Sequence, residues 1–136
     1  MEKQMNKIAV LLSSYNGYEY IEEQIDSICK QKNVDFTLYI RDDGSEKEFV
    51  ELLCGLQKKY DFKLLKEKNI GFLKSFMELL AAVDDADLYA FSDQDDIWSE
   101  SKLEIAEQWF QKQNSYDSIP LLYHCLLYTS PSPRDS

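Results

Sequence analysis

Residues 8–17 read IAVLLSSYNG, an unbroken apolar run that stops at a polar turn. A strand without alternation between apolar and polar side chains is typical of one that is buried on both faces of a sheet. Apolar residues then recur at helical spacing over residues 18–32 and predict an amphipathic helix. Asn16 is the predicted N-cap of that helix. The chain therefore opens with a buried strand and a helix that packs on it.

The same order of strand and helix recurs along the chain. Apolar runs predict strands at residues 36–40, 62–66 and 88–91, and the run at 62–66 is polar enough for the edge of a sheet. Ser45 and Glu48 form a capping-box pattern that predicts the start of the second helix. Short connections between alternating strands and helices predict an α/β fold, a three-layer sandwich with a mainly parallel sheet. Ligands of such sheets bind at the carboxyl ends of the strands.

The composition limits the classes of function. The chain has 136 residues, of which 44% are hydrophobic and 29% charged, and its formal net charge is -10. This charge argues against a nucleic-acid partner held by a basic surface. The apolar runs are far shorter than the roughly 20 residues of a membrane span. Cysteines without metal-ligand spacing favour a reducing, cytoplasmic location, free or at the inner face of the membrane.

The C-terminal end differs from the rest of the chain. Residues 120–124 have the pattern of a fifth strand, but the following residues are rich in Ser and Pro and continue neither a strand nor a helix. They resemble a translated sequencing adaptor. We expect residues 1–124 to form the N-terminal part of a single domain and residues 125–136 to be a non-native tail.

Three carboxylates follow the strand predicted at 88–91. Asp93, Asp95 and Asp96 lie within four positions of each other, and like charges this close destabilise a protein unless a cation lies among them. A hard divalent cation such as Mg²⁺ or Mn²⁺ prefers oxygen ligands of this kind. The alternative is that these residues cap the following helix and interact with its positive end. The pattern alone leaves both interpretations open.

Two more polar clusters follow the first and second predicted strands. Asp42 and Asp43 precede an Asp-Gly turn, so they have a purely structural interpretation. In a binding site, however, an Asp at this position would accept a hydrogen bond from a base N–H or a ribose hydroxyl. Ser13 and Tyr15 lie after the first strand, where Tyr15 is either a half-buried aromatic residue or a flat surface for a base.

The negative charge restricts which phosphate ligands these clusters bind. A carboxylate and a phosphate oxygen about 4 Å apart repel each other by roughly 4 kcal/mol at an effective dielectric constant near 20. A diphosphate therefore binds beside several carboxylates only if a divalent cation bridges the two sets of oxygens. An acidic protein can bind a sugar nucleotide in this way.

Four motifs, in this order, resemble those of the family 2 glycosyltransferases of the GT-A fold. They are IAVLLSSYNG (8–17), YIRDDGS (39–45), NIGF (69–72) and FSDQDDIW (91–98). The last is especially similar to rhamnosyltransferase-like members that act on cell-surface polysaccharides. The resemblance implies a Rossmann-like GT-A sandwich, of which this chain carries the nucleotide-binding half. It also implies an inverting transfer of a sugar, with rhamnose favoured, from a nucleotide-diphosphate sugar to a glycan or lipid-linked saccharide.

The resemblance also implies roles for the residues of the first two motifs. Ser13 and Tyr15 would line the base pocket. Asp43 would bind the base, and Asp42 would support Asp43.

For the later motifs, the resemblance implies contacts with the rest of the donor. Asn69 and Gly71 would border the donor pocket. Asp93, the first residue of a D-x-D motif, would approach the ribose. Asp95 would bind the Mg²⁺ or Mn²⁺ ion, and Asp96 would lie beside it.

No residue is assigned as the catalytic base, because in the family that base follows the stretch that this chain matches. We expect the 136-residue chain to bind a nucleotide–metal complex weakly and not to transfer sugar. The alternative from another class is a non-catalytic α/β module that binds a nucleotide or metal, or a receiver-like signalling module.

Overall fold

The computed structural model of the protein describes residues 7–83, 85–92 and 97–112, and it describes residues 110–112 by their backbone alone. Strands and helices alternate throughout these ranges. They are β1 (Lys7–Ser14), α1 (Ile21–Cys29), β2 (Asp35–Asp43), α2 (Lys47–Leu56), β3 (Lys63–Glu67), α3 (Phe72–Ala82), β4 (Leu88–Ser92) and α4 (Lys102–Lys112). No helix in the described ranges has the length and apolar character needed to cross a membrane. The predicted strand at 120–124 and the tail at 125–136 lie outside these ranges.

The four strands form one sheet in the order β3-β2-β1-β4, and each neighbouring pair is parallel. The predicted α/β fold is confirmed, and the polar strand β3 lies at the edge as expected. Because β2 lies on one side of β1 and β4 on the other, the strand order switches between β1 and β4. Crevices at the carboxyl ends of strands beside such a switch are the usual ligand sites of open α/β sheets.

Helices cover both faces of the sheet, and the side chains of β1 and β2 alternate between them. Even-numbered residues such as Val10 and Ile40 pack in a core with α1, α2 and α4. Odd-numbered residues such as Leu11 and Tyr39 belong to a second core, which α3 closes through Phe76. Successive strand residues point to opposite faces, so this parity continues into the polar residues at the strand ends.

The predicted cap of α1 is wrong. The helix begins at Ile21 rather than near residue 18, and its N-cap is Tyr20, which makes no side-chain capping bond. Asn16 instead has a left-handed backbone, with φ of 48°. Its Oδ1 accepts a hydrogen bond from the backbone N–H of Glu46 at 2.9 Å. Asn16 therefore binds the start of another helix, because Glu46 is the N-cap of α2.

The capping box predicted for α2 is also wrong. Ser45 precedes the N-cap, and its Oγ donates a hydrogen bond to Asp42 Oδ1 at 2.6 Å. Ser45 Oγ also accepts a hydrogen bond from the backbone N–H of Asn16 at 2.9 Å. The loops after β1 and β2 thus satisfy each other's polar groups, and a long-range contact of this kind is absent from a local sequence pattern.

We expect Asn16→Ala to lower the free energy of unfolding by about 2 kcal/mol, because it removes the acceptor for Glu46 and places a Cβ-bearing residue without a polar side chain at positive φ. Asn16→Gly removes only the hydrogen bond and should cost about 1 kcal/mol. Urea denaturation followed by circular dichroism measures both values. Equal stability of Asn16→Ala and the wild type would show that this loop contact contributes nothing.

Candidate functional site

A cavity of about 180 Å³ lies at the carboxyl edge of the sheet. It is lined by residues from the ends of β1 and β2 and from the connection between β3 and α3. These residues are Ser13, Tyr15, Asp43, Asn69, Gly71 and Phe72. All of them except Phe72 carry a ligand-binding role in the sequence prediction, and the fold brings them to one place.

Asp43 is the buried carboxylate of this cavity, with 4% of its side chain exposed. Its Oδ1 accepts hydrogen bonds from Arg41 Nη1 at 2.7 Å and from the backbone N–H of Ile70 at 2.9 Å. Its Oδ2 accepts the backbone N–H of Gly71 at 3.0 Å. A carboxylate offers about four acceptor positions. Among the described residues Oδ2 accepts this one hydrogen bond, so it retains an acceptor position.

Arg41 forms a buried ion pair with Asp43, and its side chain is 5% exposed. Nη1 also donates to Ser75 Oγ at 3.0 Å, and Nη2 donates to the carbonyl oxygen of Lys68 at 3.3 Å. Ser75 Oγ in turn accepts the hydroxyl of Ser13 at 2.6 Å. This network joins β1, β2 and α3 behind the cavity, and it holds the Asp43 carboxylate in one orientation.

Arg41 and Ser75 carry no role in the sequence prediction. A signal for Arg41 was present, because a cation two residues before Asp43 on the same strand shares its face of the sheet. A buried cation on a central strand requires a partner, and this carboxylate is the nearest along that face. Ser75 carried no comparable signal, since a serine on an apolar helix face is common.

Asp42 points to the opposite face of the sheet and does not line the cavity. Its Oδ1 accepts the hydroxyls of Ser14 at 2.9 Å and Ser45 at 2.6 Å, and its Oδ2 accepts the backbone N–H of Ser45 at 2.8 Å. These bonds tie the end of β2 to the end of β1, directly before Tyr15. Any contribution of Asp42 to a ligand is therefore made through the position of that loop.

The loop that carries Tyr15 is further anchored on α2 by Tyr18. The Tyr18 hydroxyl donates to Glu46 Oε1 at 3.0 Å, and its ring packs edge-on against Phe49 with centroids 5.2 Å apart. Partial burial and the bond to Glu46 raise the pKa of Tyr18 above its ordinary value. The phenol therefore stays protonated, and a hydrogen-bond donor, over the physiological pH range.

Gly44 allows the loops after β2 and β3 to approach each other. Its φ is +80°, and a Cβ at this position would lie 2.7 Å from the backbone nitrogen of Asn69. Only glycine permits this approach without a shift of backbone. Asn69, brought close in this way, donates from Nδ2 to the carbonyl oxygen of Asp43 at 3.0 Å and lines the cavity.

The acidic cluster predicted to approach the ribose and metal lies outside the described residues; it consists of Asp93, Asp95 and Asp96. Helix α1 contacts the described residues on both sides of this cluster. Gln24 Nε2 donates to Ser92 Oγ at 3.0 Å, and the backbone N–H of Trp98 donates to Ser27 Oγ at 3.1 Å. Ser92 pairs with Leu12, next to Ser13 of the cavity. Within the described part of the chain, no group of three His, Cys, Asp or Glu side chains is placed to hold a metal ion.

The chain is similar in sequence to known glycosyltransferases. The family model described as glycosyl transferase family 2 matches residues 9–134. The dTDP-rhamnosyl transferase RfbG of Shigella flexneri is 36% identical over 121 residues, which are 83% of this chain and 42% of that protein. The chain thus spans less than half of the length of this relative.

Solved structures share the fold. S. aureus TarS 1–349 in complex with UDP superposes with a TM-score of 0.68 at 24% identity, over 78% of this chain and 32% of that one. The mannosyltransferase PcManGT of Pyrobaculum calidifontis, in complex with GDP-Man and Mn²⁺, gives 0.67 at 19% identity, over 79% and 33% of the two chains. At these identities the likeness concerns the fold alone.

Proposed function

Because the chain belongs to glycosyl transferase family 2, we propose that it forms the nucleotide-sugar-binding part of an inverting glycosyltransferase. The observation that carries this proposal is the cavity at the carboxyl edge of the sheet. It combines a buried carboxylate acceptor at Asp43, the half-exposed ring of Tyr15 and the amide of Asn69. A flat ring that carries an N–H group, such as a nucleobase, matches all three side chains in chemistry.

In this proposal Asp43 reads the base. Arg41 and two backbone N–H groups occupy three of its acceptor positions, and the remaining position on Oδ2 accepts the base N–H. Tyr15 supports the ring of the base, and Asn69 and Gly71 border the rest of the donor. Rhamnose is the proposed sugar, supported by the 36% identity to a dTDP-rhamnosyl transferase.

The acidic cluster is the proposed Mg²⁺ or Mn²⁺ site. The donor set fits a hard cation, because it consists of carboxylates alone. It also follows directly on Ser92, whose β-sheet partner Leu12 precedes Ser13 of the cavity. Asp95 would hold the ion, with Asp96 beside it, while Asp93 would accept a ribose hydroxyl. When bound, the cation would offset the repulsion between carboxylates and diphosphate and stabilise the diphosphate as a leaving group.

The acceptor is proposed to be a glycan or lipid-linked saccharide of the cell surface, reached from the cytoplasm or the inner face of the membrane. We assign no catalytic base. Asp42 and Asp43 are occupied by Ser14, Ser45 and Arg41, and the acidic cluster is assigned to ribose and metal. Without a base the 136-residue chain should fail to transfer sugar, and we also expect it to bind the donor weakly.

Titration of the chain with dTDP, UDP and GDP, with and without Mn²⁺, tests this function. Isothermal titration calorimetry at high protein concentration follows binding even when it is weak. We expect Mn²⁺-dependent binding that Asp95→Ala weakens at least about tenfold, which corresponds to about 1.4 kcal/mol.

Asp85→Ala is the matched control for that substitution, because Asp85 lies beside Lys7 at the other end of the sheet and is 71% exposed. It should bind as the wild type does. Equal binding with and without Mn²⁺ would contradict the metal assignment. Failure of the wild type to bind any of the three nucleotides would contradict the nucleotide site itself.

A further inference from the structure

We propose that Phe72 is a base-contacting residue of the cavity, and that its ring stacks on the nucleobase together with Tyr15. This inference rests on the proposed nucleotide site and adds a residue to which the motifs give no function. It also implies that stacking of the nucleobase on the Phe72 ring supplies a substantial part of the affinity for a nucleotide.

Phe72 stands at the cavity with 53% of its surface exposed. Leu73 and Met77 on the same helix are exposed to a similar degree, at 68% and 55%, but neither lines the cavity. Exposed apolar side chains on their own need no explanation. The combination of an exposed ring with a concave, partly polar site is what points to a ligand.

The ring of Phe72 is supported by buried aromatic residues. It packs edge-on against Phe76, with centroids 5.0 Å apart and an interplanar angle of 90°. Phe76 is itself stacked on Phe91, with centroids 4.8 Å apart and an angle of 10°. Both of these supporting rings are buried. Phe72 can therefore offer a flat surface to a ligand without a large loss of side-chain freedom on binding.

The backbone before Phe72 is held by the same carboxylate that is proposed to read the base. Gly71 is the N-cap of α3, with φ of 98° and ψ of 153°, and its N–H donates to Asp43 Oδ2. The position of the Phe72 ring is therefore coupled to the position of Asp43. A ligand that donates an N–H group to Asp43 and has a π-face meets both residues in a fixed arrangement, which is the requirement for a preorganised site.

The chemistry of the lining favours the base over the sugar as the partner of Phe72. Stacking of a base on an aromatic side chain contributes enough that alanine substitution weakens binding several-fold to about a hundredfold. Asp43 is buried beside the ring and supplies an acceptor for the in-plane N–H of a base. A diphosphate, in contrast, has no π-face to stack on an uncharged ring and no N–H group to donate to Asp43.

The test compares two probes on the 136-residue chain in the presence of Mn²⁺. One is the nucleoside diphosphate that the wild type binds most tightly among dTDP, UDP and GDP, and the other is pyrophosphate, which has no base. We expect Phe72→Ala to weaken nucleoside diphosphate binding at least about fivefold. Pyrophosphate binding should stay within twofold of the wild type, and Phe72→Tyr should restore nucleotide binding.

Leu73→Ala is the matched control, since it removes an exposed apolar side chain one residue away and should leave both affinities unchanged. Unchanged nucleotide binding by Phe72→Ala would overturn the inference and leave the proposed function intact. An equal loss with pyrophosphate would also overturn it, because Phe72 would then act on the diphosphate or on the fold. If the wild type binds none of the three nucleoside diphosphates more tightly than pyrophosphate, the base contributes no affinity. In that case the base site proposed above fails together with this inference.

Discussion

Replacement of Arg41 by Met is expected to lower the free energy of unfolding by about 3–5 kcal/mol. The substitution keeps most of the volume of the side chain but leaves the Asp43 carboxylate without its cation in a buried position. Asp43 and Arg41 side chains are 4% and 5% exposed and lie 2.7 Å apart. Loss of one partner from such a pair is far more costly than loss of the whole pair, because the remaining charge stays desolvated. Total stabilities of about 5–15 kcal/mol are usual, so the variant should be close to unfolding.

Urea denaturation measures this prediction, with Lys59→Met as its control. Lys59 also pairs with a carboxylate, Glu22, at 2.9 Å, but the two side chains are 64% and 49% exposed. An exposed pair of this kind contributes little to stability, because water and salt screen the two charges. The double variant Arg41→Met/Asp43→Asn should be more stable than Arg41→Met alone, because it removes the unpaired charge. Equal effects of Arg41→Met and Lys59→Met would refute the buried pair.

Substitution of Gly44 by Ala is expected to be the next most harmful change, with a loss of about 2–4 kcal/mol in the free energy of unfolding. Alanine at φ of +80° is strained, and its Cβ would lie 2.7 Å from the backbone nitrogen of Asn69. The chain relieves this contact only by moving the loops after β2 and β3 apart. Because Asn69 and Asp43 line the cavity, the movement should also weaken nucleotide binding.

Two other glycines separate the contributions to this effect. Gly71 has φ of +98° with nothing within 4 Å of its would-be Cβ, so Gly71→Ala reports backbone strain alone, about 1–3 kcal/mol. Gly55 lies inside α2 with open space around it, so Gly55→Ala should stabilise the protein by about 0.5–1 kcal/mol. Denaturation of all three variants gives the ranking. Gly44→Ala at or below the cost of Gly71→Ala would show that the close approach to Asn69 is easily relieved.

Much of the architecture could be predicted from the sequence, because the signals for it are periodic and extend over whole elements. The buried run at the start of β1 and the polar run of β3 predicted a central and an edge strand, and both lie there. The residues at which α1 and α2 begin were predicted less well. Their apparent capping residues, Asn16 and Ser45, bind across to the neighbouring loop instead. A hydrogen bond between loops competes with a local cap on equal terms, and a linear pattern contains no information about it.

The candidate site divides in the same way. Sequence motifs and strand order were enough to bring Ser13, Tyr15 and Asp43 to one edge of a parallel sheet, because all strands of such a sheet end on the same side. Asn69 and Gly71 also line the cavity, and their roles at the border of a donor pocket stay predictions. The roles predicted for Asp93, Asp95 and Asp96 remain predictions, since these residues lie outside the described ranges.

By itself, then, the sequence determined the α/β fold, the edge of the sheet at which the polar clusters meet, and the family. Tertiary structure decided how the neighbouring carboxylates differ. Asp42 and Asp43 are adjacent in the chain, but strand geometry turns one toward α1 and α2 and the other toward α3. Asp42 therefore binds the hydroxyls that join two loops, while Asp43 meets Arg41, the start of α3 and the cavity. The physical reason is that a carboxylate acquires its role from the donors that surround it in space, and those donors come from distant parts of the chain.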